Sequence, residues 1–274
     1  MNVKKTGCIL IFLLASNVCL AEETIGVEEK VKKAYELYLQ DQSVTLGSKQ
    51  WRMGVDASYT SDERNIVFGH QESRTVQGGL SANYGVTDNI EIFGRVPLIY
   101  NTTSVSDAFG LSNDSTSSTN LGNVMLGANA TLFKSNDGPT VTFQSTFALP
   151  THTGDTPYNK SVVTAGVMLY QDFDPAFLYG GLSGSKTLGG DEFDGVSYQA
   201  GFGFSLNHRL ALGAELSGGY RFSPQLMTSS ENSFLTGRAT FVLNQKNLIQ
   251  PSVAFGLNES SPDYTIGLQW TRRF

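Results

Sequence analysis

Alternation is the feature of this chain that most restricts its fold. Apolar and polar side chains take turns in twelve successive runs. Each run has about ten residues, the length a tilted β-strand needs to cross a bilayer. The last run is the clearest: Tyr264, Ile266, Leu268, Trp270 and Phe274 share one parity, and Thr265, Gly267, Gln269, Thr271 and Arg273 share the other. Successive side chains of a strand point to opposite faces, so every run has one apolar and one polar face. The runs predict strands over 50–59, 74–84, 90–102, 120–133, 140–149, 161–170, 177–184, 196–206, 210–222, 233–243, 248–257 and 264–274.

The connections between the runs alternate in length. Those at 60–73, 103–119, 150–160, 185–195, 223–232 and 258–263 are long, and 103–119 is so rich in Ser, Thr and Asn that it reads as a mobile loop or lid. The others are short and carry turn residues, as in Thr87-Asp88-Asn89 and Asn244-Gln245-Lys246-Asn247. Tight turns at one end and long loops at the other are the pattern of an outer-membrane barrel. A soluble sandwich gives no reason for that regularity. In hydrocarbon every backbone group must be paired, so the last strand has to close against the first. The expected fold is all-β: a twelve-stranded antiparallel transmembrane β-barrel with a short N-terminal α-helix.

Composition agrees with strands that face lipid on one side and water on the other. Of 274 residues only 16 % are charged, while 29 are Gly, 17 Phe and 11 Tyr. Mean hydropathy is −0.15, and no run beyond the leader is apolar enough for a spanning helix. A net charge of −6 argues against a nucleic-acid partner, which calls for a basic footprint.

Residues 1–21 read as a secretory signal peptide: Lys4 and Lys5, an apolar run over 9–15, and small residues at Cys19 and Ala21. Both cysteines, Cys8 and Cys19, fall within it, so the mature chain is expected to use neither disulfides nor zinc thiolates. Residues 22–47 differ in kind. Val27, Val31, Ala34, Tyr35, Tyr38 and Leu39 recur at three- and four-residue steps, and Glu28 and Glu29 precede Lys32 and Lys33 by four. That predicts an amphipathic helix over 27–41. Three places for it stay open: a plug in the lumen, with Glu28, Glu29, Val31, Tyr35 and Tyr38 as its working residues; a periplasmic helix; or a weakly ordered leader. The barrel itself is expected over 48–274.

The inward parity supplies the candidate pore residues: Arg52, Asp56, Glu91, Arg95, Glu215, Arg221, Arg238, Gln269 and Arg273. The bases outnumber the acids, so acidic Glu28 and Glu29 would be held there more strongly than in bulk water. The outward parity supplies an aromatic girdle at the two interfaces. Trp51, Tyr84, Trp270 and Phe274, with Phe133 and Phe177, are expected near the periplasmic level, and Tyr59, Tyr100 and Tyr264, with Phe222 and Phe255, near the outer one.

Catalytic signals are absent from the sequence. His70, His152 and His208 are isolated, without metal-ligand spacing, and no cofactor motif is present. GLSGS at 181–185 misses the G-x-S-x-G elbow. Asp191, Glu192 and Asp194 form an acidic loop that reads as a solvated face, or as a bridge through divalent cations to lipopolysaccharide. An enzyme is not expected.

Three motifs carry a family resemblance. Tyr84–Asp88 followed by Glu91, then Gly122, Asn123 and Gly127, then Leu149, Pro150 and Thr151, make the chain similar to the outer-membrane barrels named for phenol meta-pathway gene clusters. The family pattern has Asp where Asn123 stands, and here His152 and Thr153 separate Thr151 from Gly154. The resemblance implies a channel for small, often hydrophobic or aromatic, molecules. The layout also resembles the secretion channel of the functional-amyloid (Fap) system and the translocator domain of autotransporters. The C-terminal strand ending in Phe274 resembles the signal read by the outer-membrane barrel assembly machinery.

The expected function is therefore passive passage of small solutes across the bacterial outer membrane, narrowed by the N-terminal helix. Outer-membrane lipid, lipopolysaccharide and the assembly machinery are the expected partners. Two other readings stand beside it: a secretion channel for an unfolded polypeptide, and a non-conducting barrel that displays its loops.

Overall fold

The computed structural model describes residues 45–66, 69–107, 113–135, 138–151, 160–189, 194–223 and 228–274. The leader and the expected helix at 27–41 lie outside these residues, as do His152, Asp191 and Glu192. Thirteen antiparallel segments make one sheet: β1 (Trp51–Ile66), β2 (Gly69–Thr87), β3 (Ile90–Asp107), β4 (Asn113–Leu121), β5 (Met125–Phe133), β6 (Thr140–Ala148), β7 (Val162–Asp172), β8 (Ala176–Thr187), β9 (Asp194–Asn207), β10 (Leu210–Ser223), β11 (Thr228–Asn244), β12 (Asn247–Gly256) and β13 (Tyr264–Arg273). β4 and β5 both pair with β3, at Leu98–Ser106 and at Ile90–Arg95, so they are two stretches of one strand broken at 122–124. The wall therefore has twelve strands.

The sheet closes on itself. β1 pairs with β2 on one side and with β13 on the other, in a register running from Arg52 opposite Arg273 to Ser61 opposite Tyr264. The Phe274 amide then donates to the Trp51 carbonyl at 3.0 Å, which pairs the last backbone donor of the seam. Closure of this kind is what hydrocarbon demands of a β-protein. The outer surface is the apolar one: Leu80, Leu132 and Leu182 are more than 60 % exposed, on the parity that faces away from the axis.

The strand break has a defined chemistry. The Thr151 hydroxyl donates to the Gly122 carbonyl at 3.0 Å and accepts the Val124 amide at 2.8 Å. The Leu149 amide donates to the Val124 carbonyl, and the Gly122 amide to Pro97. Two motifs of the family resemblance, Gly122–Asn123 and Leu149–Thr151, thus meet in space and stitch the wall where the ladder lapses.

Four expectations need correction. The segments expected as loops over 60–73 and 103–119 are largely strand: β1 and β2 pair through Ile66 opposite Gly69, and β3 and β4 through Ser106 opposite Asn113. The 223–232 loop is likewise shorter, because β11 begins at Thr228. Their Ser and Thr residues put hydroxyls on both faces, so no alternation announces a strand, although Thr suits one well. Third, the strand expected over 120–133 is interrupted at 122–124. Fourth, Phe177 lies inside the barrel, fully buried.

Candidate functional site

The inside of the barrel is built from two contrasting walls. On β1, β2 and β3 the inward face carries the charged and amide residues Arg52, Asp56, Gln77, Asn83, Glu91 and Arg95, with Phe93 among them. Arg95 on β3 reaches across β2 to Asp56 on β1, with Nη2 to Oδ2 at 2.6 Å and Nε to Oδ1 at 3.3 Å. The pair passes over Gly79 of β2, where an added methyl would sit 2.7 Å from Asp56 Oδ1 and 2.9 Å from Arg95 Nε. One layer nearer the short turns, Arg52 Nη2 donates to Glu91 Oε1 at 3.1 Å, again from β1 to β3 across β2.

On β7 and β8 the inward residues nearest the short turn are apolar or aromatic, while β10 and β11 also carry Glu215, Arg238 and Thr240 inward. Met168, Phe177, Tyr179 and Ala211 are buried together, with Tyr170 and Val242 packed against them. The Phe177 ring lies over Gly203 of β9, a position where a methyl would collide with the ring. The Tyr179 hydroxyl donates to Glu215 Oε2 at 2.8 Å, spanning β9 to reach β10.

Against β1–β3 and the neighbouring β5, β6 and β13 lies a chamber of about 290 Å³, lined by Arg52, Asn83, Phe93, Arg95, Met125, Asn129, Gln144, Gln269 and Thr271, with smaller residues between them. Of the expected pore residues, the structure brings Arg52, Arg95 and Gln269 to this chamber. Asp56 and Glu91 stand behind the two arginines as their counter-charges. Arg273 lies directly opposite Arg52 in register. Glu215 belongs to the aromatic wall, Arg238 faces Gly213 and Ser252 in register on β10 and β12, and Arg221 lies toward the far end of β10, opposite Gly195.

The short-turn end is closed in part by the chain itself. Glu91 is fully buried, and Leu46 is 1 % exposed. The Leu46 amide donates to Glu91 Oε2 at 2.8 Å, while Arg52 and Asn83 both donate to Oε1, Asn83 at 2.5 Å. Thr45 Oγ1 donates to the Asp88 carbonyl at 3.0 Å and lies 3.1 Å from Thr131 Oγ1. Ser48 donates its amide to Asp88 Oδ1, and Lys49, at a positive φ of 64°, donates to the Gly85 carbonyl. Thr131 is two residues from the chamber residue Asn129, on the same inward parity. The backbone just before β1 therefore runs along the inner face of the barrel.

The girdle residues fall on the outward parity at two levels. Trp51 and Tyr84 face each other in register, with ring centroids 4.5 Å apart, and Phe274 sits beside them at the seam. Tyr59 and Tyr264 rings lie 6.2 Å apart at the other level, and Val76 links Tyr59 to Tyr100 across β2. Trp270 is opposite Val55, four residues along the strand from Trp51, and so lies in the body of the outer face and not at the short-turn rim.

His70 stands at the long-loop end beside Asn65, and His208 in the short β9–β10 turn at the opposite end. Among the described residues no cluster of His, Cys, Asp and Glu has the makings of a metal site. The residues that sequence reasoning missed are Leu46, the chamber residues Asn83, Phe93, Met125, Asn129, Gln144 and Thr271, and the inward-packed Met168, Phe177 and Tyr179. For Phe177 and Tyr179 the advance signal is Gly203 and Gly201 on β9, which leave room for their rings.

No family model matches the chain, and no curated protein matches its sequence. Solved structures do. An outer-membrane channel from Pseudomonas putida F1 superposes with a TM-score of 0.65 at 14 % identity, over 85 % of this chain and 98 % of that one. The translocator domain of the autotransporter NalP from Neisseria meningitidis gives 0.54 at 10 % identity, over 87 % and 93 %. The NanC porin gives 0.53 at 9 % identity, over 80 % and 98 %. At such identities the likeness is one of fold. A closed twelve-stranded barrel with an apolar outer face is an outer-membrane fold, and this chain is a β-barrel protein of the bacterial outer membrane.

Proposed function

We propose that this barrel is a channel for passive passage of small molecules, narrowed from the periplasmic side by the segment that precedes β1. One observation carries the reading: the fully buried Glu91 ties the Leu46 amide to the inner wall below a polar chamber. In this reading the segment over 22–44 acts as a plug, and Glu28 and Glu29 would meet the basic inward residues. The likeness in fold to an outer-membrane channel and a porin supports the channel role. Residues 1–21 act in this reading as the export leader, and the β13 strand ending in Phe274 as the address for the assembly machinery. The runner-up is a barrel that only presents its outer hairpins. It draws on the way β1–β4 continue their ladders beyond the last β13 pairing at Ser61.

The test is single-channel conductance in planar bilayers, for the chain from residue 22 and for a chain beginning at Ser48. Larger steps from the shorter chain are expected. Equal, sizeable steps would place the helix in the periplasm. Absence of conductance from both would leave the display reading.

A further inference from the structure

The charge of the chamber is one-sided. Its charged lining residues are Arg52 and Arg95, and among the described residues no carboxylate lines it. Glu91 is fully buried behind Arg52 and Asp56 flanks Arg95, so each acid holds its arginine in place from outside the cavity. Arg95 spends Nε and Nη2 on Asp56. A guanidinium has five N–H donors in a planar fork, and the remaining ones of Arg95 are available to a second planar acceptor. The amides of Asn129 and Gln269 add N–H donors to the same cavity. Phe93 and Met125 supply a small apolar patch in the same cavity. A cation would face two guanidinium groups here, and a wholly apolar molecule would leave the amides without partners.

We infer that this chamber binds small organic carboxylates, the carboxylate on Arg95 and the body against Phe93 and Met125, and that it makes the channel prefer anions. The volume of about 290 Å³ is at the low end for ligand sites. It suits an acid of about ten non-hydrogen atoms. The inference rests on the channel reading for its selectivity and on the chamber alone for its binding.

The two halves are tested separately, on the full chain and on the variants D56N and R95Q, each checked for folding by its heat-modifiable mobility on gels. In a potassium chloride gradient the reversal potential is expected to show chloride preferred over potassium. D56N, which releases Arg95, should raise that preference about threefold, and R95Q, which leaves Asp56 alone, should lower it by a similar factor. Opposite signs from two changes in one ion pair are what a purely structural role would not produce. Preference for potassium, or shifts of one sign in both variants, would overturn the selectivity while leaving the channel intact. Calorimetry with sodium benzoate, nine non-hydrogen atoms with an apolar ring, on detergent-solubilised protein needs no conductance. Saturable binding is expected, tighter in D56N and at least about tenfold weaker in R95Q. If no form conducts, the channel reading fails. Benzoate that then binds neither wild type nor D56N would overturn the carboxylate site as well.

Discussion

The barrel's two inner walls solve one packing problem in opposite ways. Around β7 and β8 the space is filled by rings set over glycines of β9, as Phe177 over Gly203. Around β1–β3 the space is held open by ion pairs that reach over a middle strand, as Arg95 to Asp56 over Gly79. Filling gives rigidity through dispersion and burial. Bridging gives a cavity whose walls are polar and fixed in place. A channel needs both, one to hold its shape and one to leave a path. Glycine on the intervening strand makes either possible.

Substitutions can set these walls against each other. The largest effect is expected at Glu91, where Ala would leave Arg52 and the Leu46 amide without their shared acceptor. Removing one partner of a buried pair costs about 4 kcal/mol. Urea unfolding in lipid vesicles reads that loss, and bilayer recordings should show wider openings as the N-terminal segment comes loose. Phe177→Ala is expected to cost about 3 kcal/mol by opening a cavity in the filled wall. The same unfolding assay applies, and anion preference should hold if the walls act independently. Gly79→Ala puts a methyl between Asp56 and Arg95. It should cost about 1–2 kcal/mol and shift chloride preference, a change that Phe177→Ala does not make. Thr151→Val is expected to be mildest, about 1 kcal/mol, since it removes two hydrogen bonds at the wall's break and touches neither face. Hydrogen exchange at the Val124 amide would report it directly.

Much of the wall could be read from the chain. Period-two alternation exists because one face of each strand meets lipid, so strands such as β2, β12 and β13 announce themselves. The upper reaches of β3 and β4 do not. The hydroxyl-rich stretches there, Thr102 to Ser106 and Asp114 to Thr119, carry no apolar face and owe their shape to pairing with each other. The same limit applies inside. Residues 177–185 are apolar or small on both parities, so alternation could not say that Phe177 and Tyr179 turn inward. Only the glycines facing them across the β8–β9 ladder decide it. Arg52 and Gln269 were legible as inward residues because β1 and β13 alternate strictly below their ends, and Arg95 because its charge sits opposite the parity of Ile90, Ile92, Val96 and Leu98.

By itself the sequence determined an antiparallel wall of twelve strands, the end at which the turns are short, and the parity that faces lipid. Those follow from a local rule, since side-chain direction alternates along every strand and the membrane sorts the faces. The tertiary structure alone decided that Glu91 would receive Leu46, Arg52 and Asn83 at one point, that Arg95 would cross Gly79 to Asp56, and that aromatic residues would fill one side of the lumen. These contacts join residues on different strands, and register, closure and the room above a glycine are properties of the assembled barrel.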